Sequence, residues 1–332
     1  MRRLTSVLGT IVLVGMVSAL NPTSAPAADR HGRLQDRIDL PDGWQPEGIT
    51  SHGKTLFTGS LANGAIWEAD ARTGEGEILS PGAAGSVAVG LDYDRRRDLI
   101  WAAGGGTNVV RVYDGDDGHV VATYDFPSDT PRFLNDLVVT RRAVYATDSF
   151  NQELCVIPLG RRHGGHGHGD VQNNGRGDHG HGRHLPPPSA ATTLPLTGDV
   201  VFEDGFNLNG IASDRRLLIT VQSNTGQLFR IDPRTGETFE IDLGGDLVTN
   251  GDGLELDGRT AYVVRNQNNL IAVVDLDRHG DSGEVVDELT AAGLDVPATA
   301  TLVGGSLFAA NARFTTPPTP TTPYWITRVA VD

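Results

Sequence analysis

Apolar and polar residues alternate in short paired runs along most of this 332-residue chain, and a polar turn rich in Gly and Asn joins each pair. The pattern is clearest in "LFTGSLANGAIWEAD", "IWAAGGGTNVVRVYD", "VYATDSFNQELCVIP", "LITVQSNTGQLFRID" and "AYVVRNQNNLIAVVD". Period-two alternation places side chains on opposite faces of a strand, so each segment reads as a β-hairpin. A sixth, degenerate copy runs "LFAANARF", a Pro/Thr-rich excursion "TTPPTPTTP", and "YWITRVAVD".

A short element precedes each hairpin, beginning at Glu47, Val89, Asn135, Asn209, Asp252 and Ala298, with spacings of 42, 46, 74, 43 and 46 residues. The long interval holds "RRHGGHGHGDVQNNGRGDHGHGRHLPPPS", residues 161–189; without these 29 residues the period is close to 45 throughout. That is the length of one four-stranded propeller blade. Register holds inside the repeat too: Phe57, Tyr145, Ile219, Tyr262 and Phe308 each fall ten residues after the start of their unit. An open β-solenoid would use shorter repeats. The expected fold is therefore all-β, a six-bladed β-propeller with four-stranded blades over residues 29–332, interrupted by a flexible His/Gly-rich insert at 161–189. "RLQDRIDLP", Arg33 to Pro41, alternates like a strand ahead of the first unit. It is expected to supply the outer strand of the last blade, so that an N-terminal strand closes the ring and hides its edges.

Residues 1–28 read as a secretory signal: Arg2 and Arg3, an apolar run "VLGTIVLVGMVSAL", then small residues "SAPAA" for cleavage. The run falls short of the roughly 20 residues a membrane span needs, so no stable membrane insertion is expected after cleavage and the destination is extracellular. Loss of the two arginines would move the formal charge from −15 to −17. Such acidity argues against nucleic acid and favours metal cations and neutral or cationic small molecules as partners. Cys155 is the only cysteine, so no internal disulfide forms; in "ELCVIP" it reads as a buried, inert thiol.

The stretch "NGDGLELDG", Asn250 to Gly258, sets the carboxylate of Asp252 between two glycines. Turn chemistry alone accounts for one such residue. Equivalent positions of a propeller converge on its central channel, however, and this position reads Glu47, Val89, Asn135, Asn209, Asp252, Ala298 around the ring. The contexts "PEGI", "LNDL", "LNGI" and "GDGL" each place an oxygen donor two residues before Ile or Leu. Two carboxylates and two amide oxygens make a hard-cation site that best suits one Ca²⁺; Mg²⁺, Mn²⁺ and Zn²⁺ are alternatives, the last disfavoured by the absence of nitrogen or sulfur. Without an ion, two close carboxylates would have to share a proton.

These residues resemble the senescence-marker-protein/gluconolactonase-like (regucalcin-like) six-bladed propellers. The resemblance covers about Arg33 to Asp332 apart from the insert. In that family a Glu, two Asn and an Asp from the first, third, fourth and fifth blades bind one divalent cation, which implies Glu47, Asn135, Asn209 and Asp252 as metal ligands here. The resemblance further implies a metal-dependent lactonase or esterase with Asp252 as general base or nucleophile. One departure matters. Sugar-lactone members carry an Arg two residues before the third-blade Asn, where this chain has Phe133, with Arg132 one further back; "NDL" also lacks their Gly. An aldonolactone is thereby put in question, and a more apolar ester or lactone is equally open.

Other features are weaker. His163, His166, His168, His179, His181 and His184 in the insert give it a capacity for weak transition-metal binding without preformed geometry. "GGGTN" lacks the Lys-Ser/Thr of a phosphate loop and reads as a turn. "DLDRHGDSGEVVDEL" echoes a calcium loop from Asp275 but has Val286 at the twelfth position. Trp44, Trp67, Trp101 and Trp325 read as core, and His52 as a turn residue. Asp148, Asn224, Asn266 and Asn311 follow the second strand of their blades and are open to either a channel or a turn role. Two functional classes result: a secreted metal-dependent hydrolase of a small ester or lactone, or a non-catalytic extracellular propeller whose channel metal is structural and which binds a ligand or cell-surface partner.

Overall fold

A computed structural model describes residues 33–160, 184–214 and 217–331. The expected signal (1–28) and residues 161–183 of the insert lie outside the described residues. The chain forms six antiparallel sheets of the expected four strands, laid out in sequence order from the inside of each sheet to the outside. The innermost strands are Pro46–His52, Leu91–Asp94, Leu134–Val139, Leu208–Asp214, Gly251–Asp257 and Pro297–Val303, which define blades one to six. Blade four carries an addition that the repeat did not foretell, a two-residue strand Thr197–Gly198 running parallel to its outer strand Glu237–Glu240.

Closure is as expected. Arg37–Leu40 pairs antiparallel with Tyr324–Ala330 and becomes the outer strand of blade six, with Ile38 opposite Ile326. Asp36 reinforces the join by accepting the Arg328 guanidinium with its side chain and the Arg328 N–H (3.0 Å) with its carbonyl. The first and last described strands thus sit in one sheet, which closes the ring of blades.

The core is divided into six wedges, each between the facing sides of adjacent blades. This explains why second strands such as Leu99–Ala103 and Ala143–Asp148 are buried along their whole length, while outer strands such as Val120–Asp125 are mostly only partly buried. Trp44, Trp67 and Trp101 are core residues, as their place in strands implied. Trp325 is different: it lies half-buried, with the guanidinium groups of Arg37 and Arg313 4.1 and 4.9 Å from its ring centroid. Cys155 is buried beside Arg132, and burial pushes its thiol up to about 12, so it stays protonated.

The insert leaves blade three after Glu153–Pro158 and the chain returns at Thr192–Pro195. Its last residues are held: Leu185 packs on the core between blades two and three, and the Pro186 carbonyl accepts the Tyr124 hydroxyl at 2.9 Å. Turns between third and fourth strands lie at the end of the ring opposite the starts of the inner strands, so the insert is attached far from the starts Glu47, Asn135, Asn209 and Asp252.

One constraint shapes the centre. In five blades the inner strand carries a β-bulge at the same place, with two residues opposite one: 47 and 48, 135 and 136, 209 and 210, 252 and 253, 298 and 299. In blade two regular pairing starts only at Leu91, but Val89 N–H still donates to the Ala103 carbonyl (2.8 Å) and Ala103 N–H to Gly90 (2.9 Å). The second bulge residue is where neighbouring inner strands nearly touch: Gly48 N–H donates to the Val89 carbonyl (3.0 Å) and Gly90 N–H to that of Asn135 (2.8 Å). A β-carbon on Gly253 would lie 2.6 Å from Thr299 Cα. Here Gly is required for space and not for an unusual φ. Replacing Gly253 with Ala is therefore expected to lower stability by about 1–3 kcal/mol, the cost of overpacking; a chemical-denaturation midpoint equal to that of the parent would contradict the close approach.

Candidate functional site

The bulge determines which side chains face the axis. Its first residue is the blade-start position in every bulged blade, so the extra residue turns Glu47, Asn135, Asn209, Asp252 and Ala298 out of the ladder at one level. Carbonyls freed from the ladder are capped locally: the Thr58 hydroxyl donates to Gly48 O and the Thr220 hydroxyl to Gly210 O, both at 2.9 Å. Thr147 likewise donates to the Asn209 carbonyl at 2.8 Å, tying blade three to blade four. All four oxygen-bearing residues are buried. They stand in blades one, three, four and five, with Val89 and Ala298 completing the ring.

Side-chain orientation comes from a position fourteen residues further on, at the end of the second strand. Asn135 Nδ2 donates to Ser149 Oγ (3.0 Å), and that hydroxyl donates onward to the Leu208 carbonyl (2.7 Å). Asn209 Nδ2 donates to Ser223 Oγ (3.1 Å), whose hydroxyl donates to the Gly251 carbonyl (2.5 Å). Each serine has committed its proton, so it can only accept from the amide, and the amide oxygen is left facing away from it. In blade five the same offset gives Asn266, whose Nδ2 donates to Asp252 Oδ2 at 2.8 Å. In blade one it gives Leu61, which offers Glu47 nothing. Glu47 Oε2 and Asn209 Oδ1 are buried without any hydrogen-bond partner.

The two carboxylates feel one another. Burial raises the Glu47 carboxyl well above its ordinary range, and the nearby charges of Asp252 and Asp136 raise it further. Burial likewise brings Asp252 up to about 7, against the opposing pull of hydrogen bonds from Asn266 and Asn209. Such an arrangement holds either a proton or a cation. Its donors are all oxygen, matching a hard divalent ion.

Below this level a second set of acids was not foreseen from sequence. Asp92, Asp136 and Glu255 line a cavity of about 200 Å³ between the inner strands. Each accepts a backbone N–H from the next inner strand: Asp92 from Val139 (2.7 Å), Asp136 from Ile211 (3.3 Å), Glu255 from Leu302 (3.2 Å). They are inter-blade clamps. Burial raises them to about 6, 8 and 7 respectively.

Of the four residues open to a channel or a turn role, only Asn266 reaches the centre. Asp148 Oδ1 accepts the N–H groups of Phe133 (3.2 Å), Phe150 (3.0 Å) and Asn151 (3.2 Å), and Asn311 bonds Asp295 and Thr327; both are loop clamps. Asn224 is turned to Asn207 and the Asp204 carbonyl. His52 ends its inner strand, exposed and stacked on Tyr93 at 4.7 Å, away from the blade starts. Ser149 and Ser223 were missed, although their constant offset from Asn135 and Asn209 was available. Among the described residues one group of three close ligating side chains occurs elsewhere, Asp114, Asp117 and His119 in the outer turn of blade two, two of them exposed.

The molecule is thus a six-bladed β-propeller with a polar constellation at its axis. No family model matches the sequence, and a comparison with curated proteins gave no match. Among solved structures the chain is similar to the Malassezia sympodialis allergen Mala s 1, with TM-score 0.65 and 11% identity over 90% of this chain and 96% of that one. It is also similar to streptogramin B lyase (TM-score 0.53, 14% identity, 88% and 97% covered) and to a protein from Lactobacillus plantarum (TM-score 0.53, 14% identity, 80% and 77% covered). At these identities the likeness is one of fold.

The clamp acids set a pH dependence. Burial disfavours their charged forms, so the folded chain keeps these protons to higher pH than the unfolded chain. Their stabilisation is complete below about pH 4, the ordinary carboxylate range, and is lost as pH rises through the raised values. In the presence of chelator, the denaturation midpoint is expected to fall as pH goes from about 4 to 7, the window between the ordinary carboxylate range and the raised Asp92 and Glu255 groups. Asp92→Asn should flatten the lower part of that slope; a midpoint independent of pH in both proteins would contradict the assignment.

Proposed function

We propose that this chain is a secreted, divalent-cation-dependent hydrolase of a small ester or lactone, with Glu47, Asn135, Asn209 and Asp252 holding the ion. The observation that carries the reading is the pair of buried, unpartnered oxygens, Glu47 Oε2 and Asn209 Oδ1, within one ring of oxygen donors. An unpaired buried polar atom costs about 1–3 kcal/mol, so two at one level are best explained by a ligand that both of them meet. The donor set suits Ca²⁺ first, with Mg²⁺ and Mn²⁺ as alternatives. The occupied blades are those of the gluconolactonase-like propellers, and the existence of a propeller named as a lyase among the fold's relatives is in keeping with catalysis on this scaffold.

When bound, such a cation supplies Lewis-acid polarisation of a carbonyl oxygen. The chain's own residues do the rest. Ser149 and Ser223 each accept one amide N–H and so fix the rotation of Asn135 and Asn209. Asn266 fixes one oxygen of Asp252, which leaves the carboxylate in a single orientation to take a proton from attacking water or to attack the carbonyl carbon itself. Burial in a narrow channel limits competing solvent.

With residues 161–183 removed, so that the histidine tract cannot contribute, the mature protein is expected to hold about one divalent ion per chain by elemental analysis. Glu47→Gln should lose it, and chelation should lower the melting temperature of the parent. Asp252→Asn should weaken the ion's binding and, with the cation supplied in excess to keep the site filled, lose about 10²-fold or more in kcat, the usual scale for a general base. A metal-free parent whose melting is indifferent to chelator would refute the reading. Metal binding with no turnover across an ester and lactone panel would favour the other class, a binding propeller with a structural ion.

A further inference from the structure

We propose that Phe133, Phe150 and Phe206 form a subsite at the channel mouth for an aryl substituent on the substrate, which deepens the hydrolase reading and rests on it. The three rings form one cluster: Phe133 meets Phe206 edge-on at 5.3 Å between centroids, Phe206 lies 5.1 Å from Phe150, and Phe150 lies 6.0 Å from Phe133. Phe150 and Phe206 remain 43% and 46% exposed, which is uncommon for side chains already arranged for aromatic packing.

The cluster is built onto the supports of the central constellation. Phe133 and Phe150 both donate their backbone N–H to Asp148 Oδ1. Ser149, which lies between them in the hydrogen-bond scheme, donates its N–H to the Phe133 carbonyl (2.9 Å) and holds the Asn135 amide with its hydroxyl. Phe206 precedes Asn207, a buried residue that donates its N–H to the Ser149 carbonyl (3.1 Å) and folds its own loop by bonding the Glu203 (2.9 Å) and Gly205 (3.1 Å) carbonyls. The rings are therefore carried on ordered backbone at a fixed place relative to Asn135 and Asn209.

The apolar surface also reaches the axis itself. A β-carbon on Gly105 would lie 3.1 Å from Val89 Cγ2 and 3.3 Å from Phe133 Cε2, so this glycine sits between the apolar blade-start residue and the first ring. The apolar surface thus runs Val89, Gly105, Phe133, Phe150, Phe206 over blades two to four beside the amides of Asn135 and Asn209, while the carboxylates Glu47 and Asp252 stand in blades one and five. That juxtaposition fits a carbonyl compound with an apolar substituent. A polyhydroxylated lactone would find no hydrogen-bond partners on the rings.

A protein partner is a poorer occupant. Two half-exposed rings and a third that is less exposed offer roughly 200–300 Å², well below the approximately 800 Å² that each partner buries in a stable interface.

The test compares γ-butyrolactone with γ-phenyl-γ-butyrolactone, which share the scissile ester. The parent is expected to favour the aryl lactone in kcat/KM, mainly through KM. Phe206→Ser and Phe150→Ser, at exposed positions that should not impair folding, are each expected to cut that preference about tenfold, whereas Phe206→Trp keeps it. Binding of the aryl lactone to the Asp252→Asn protein, read by saturation-transfer NMR, reports the subsite without turnover. If neither lactone is hydrolysed but binding depends on the rings, the subsite stands and the hydrolase reading falls. If both are hydrolysed and the serine variants keep the full aryl preference and binding, the subsite is refuted. It is equally refuted if those variants change only binding to phosphatidylcholine vesicles or the monomer–dimer balance.

Discussion

The close approach of six inner strands around one axis is the constraint on which the rest of this structure depends. Neighbouring strands meet backbone to backbone at the second bulge residue, where Gly48, Gly90, Gly210 and Gly253 leave no room for a side chain. The bulge that permits this approach also projects the residue before it toward the centre. Packing and chemistry are therefore set by the same pair of positions: the first supplies a side chain to the axis and the second lets the blades close around it. Two blades depart from Gly at the second position: blade six has Thr299, and blade three has Asp136, whose carboxylate clamps the Ile211 N–H of the next blade.

Electrostatics follow from that geometry. Strands that converge exclude water, and the carboxylates carried there lose solvation. Asp92, Asp136 and Glu255 recover part of it from backbone N–H groups across blade boundaries. Glu47 and Asp252 have fewer such bonds, and one oxygen of Glu47 has none. The two levels of acids thus differ in kind: the lower level is satisfied by the protein and joins blades, while the upper level is left wanting a cation or a proton. Holding one N–H of Asn135 and one of Asn209 on serines that have already spent their own protons sharpens the contrast, because it fixes the rotation of both amides and leaves the Asn209 oxygen without a protein partner.

Much of this was legible in the chain. A repeat of about 45 residues, once the His-rich stretch was set aside, was enough for the blade number, because β-hairpins of fixed period pack in few ways. The strand that closes the ring could be read from Arg33 to Pro41, and the alignment of Glu47, Asn135, Asn209 and Asp252 marked one position per blade. Less legible was any feature that joins residues from different repeats. The parallel strand Thr197–Gly198 arises from a connection whose length does not repeat, and the half-buried Trp325 ring is covered by Arg37 from the far end of the chain.

The sequence by itself determined the period, the fold class and the set of residues at each blade start, since these are local properties of hydrophobic alternation and turn chemistry. Only the tertiary structure decided what those residues face. The bulge that turns them inward, the serines that orient two of them, the acids that clamp successive inner strands and the three phenylalanines that gather beside them all depend on contacts between segments far apart in the chain. Burial, hydrogen-bond partnership and raised proton affinity are properties of an environment, and that environment exists only when the six blades have closed.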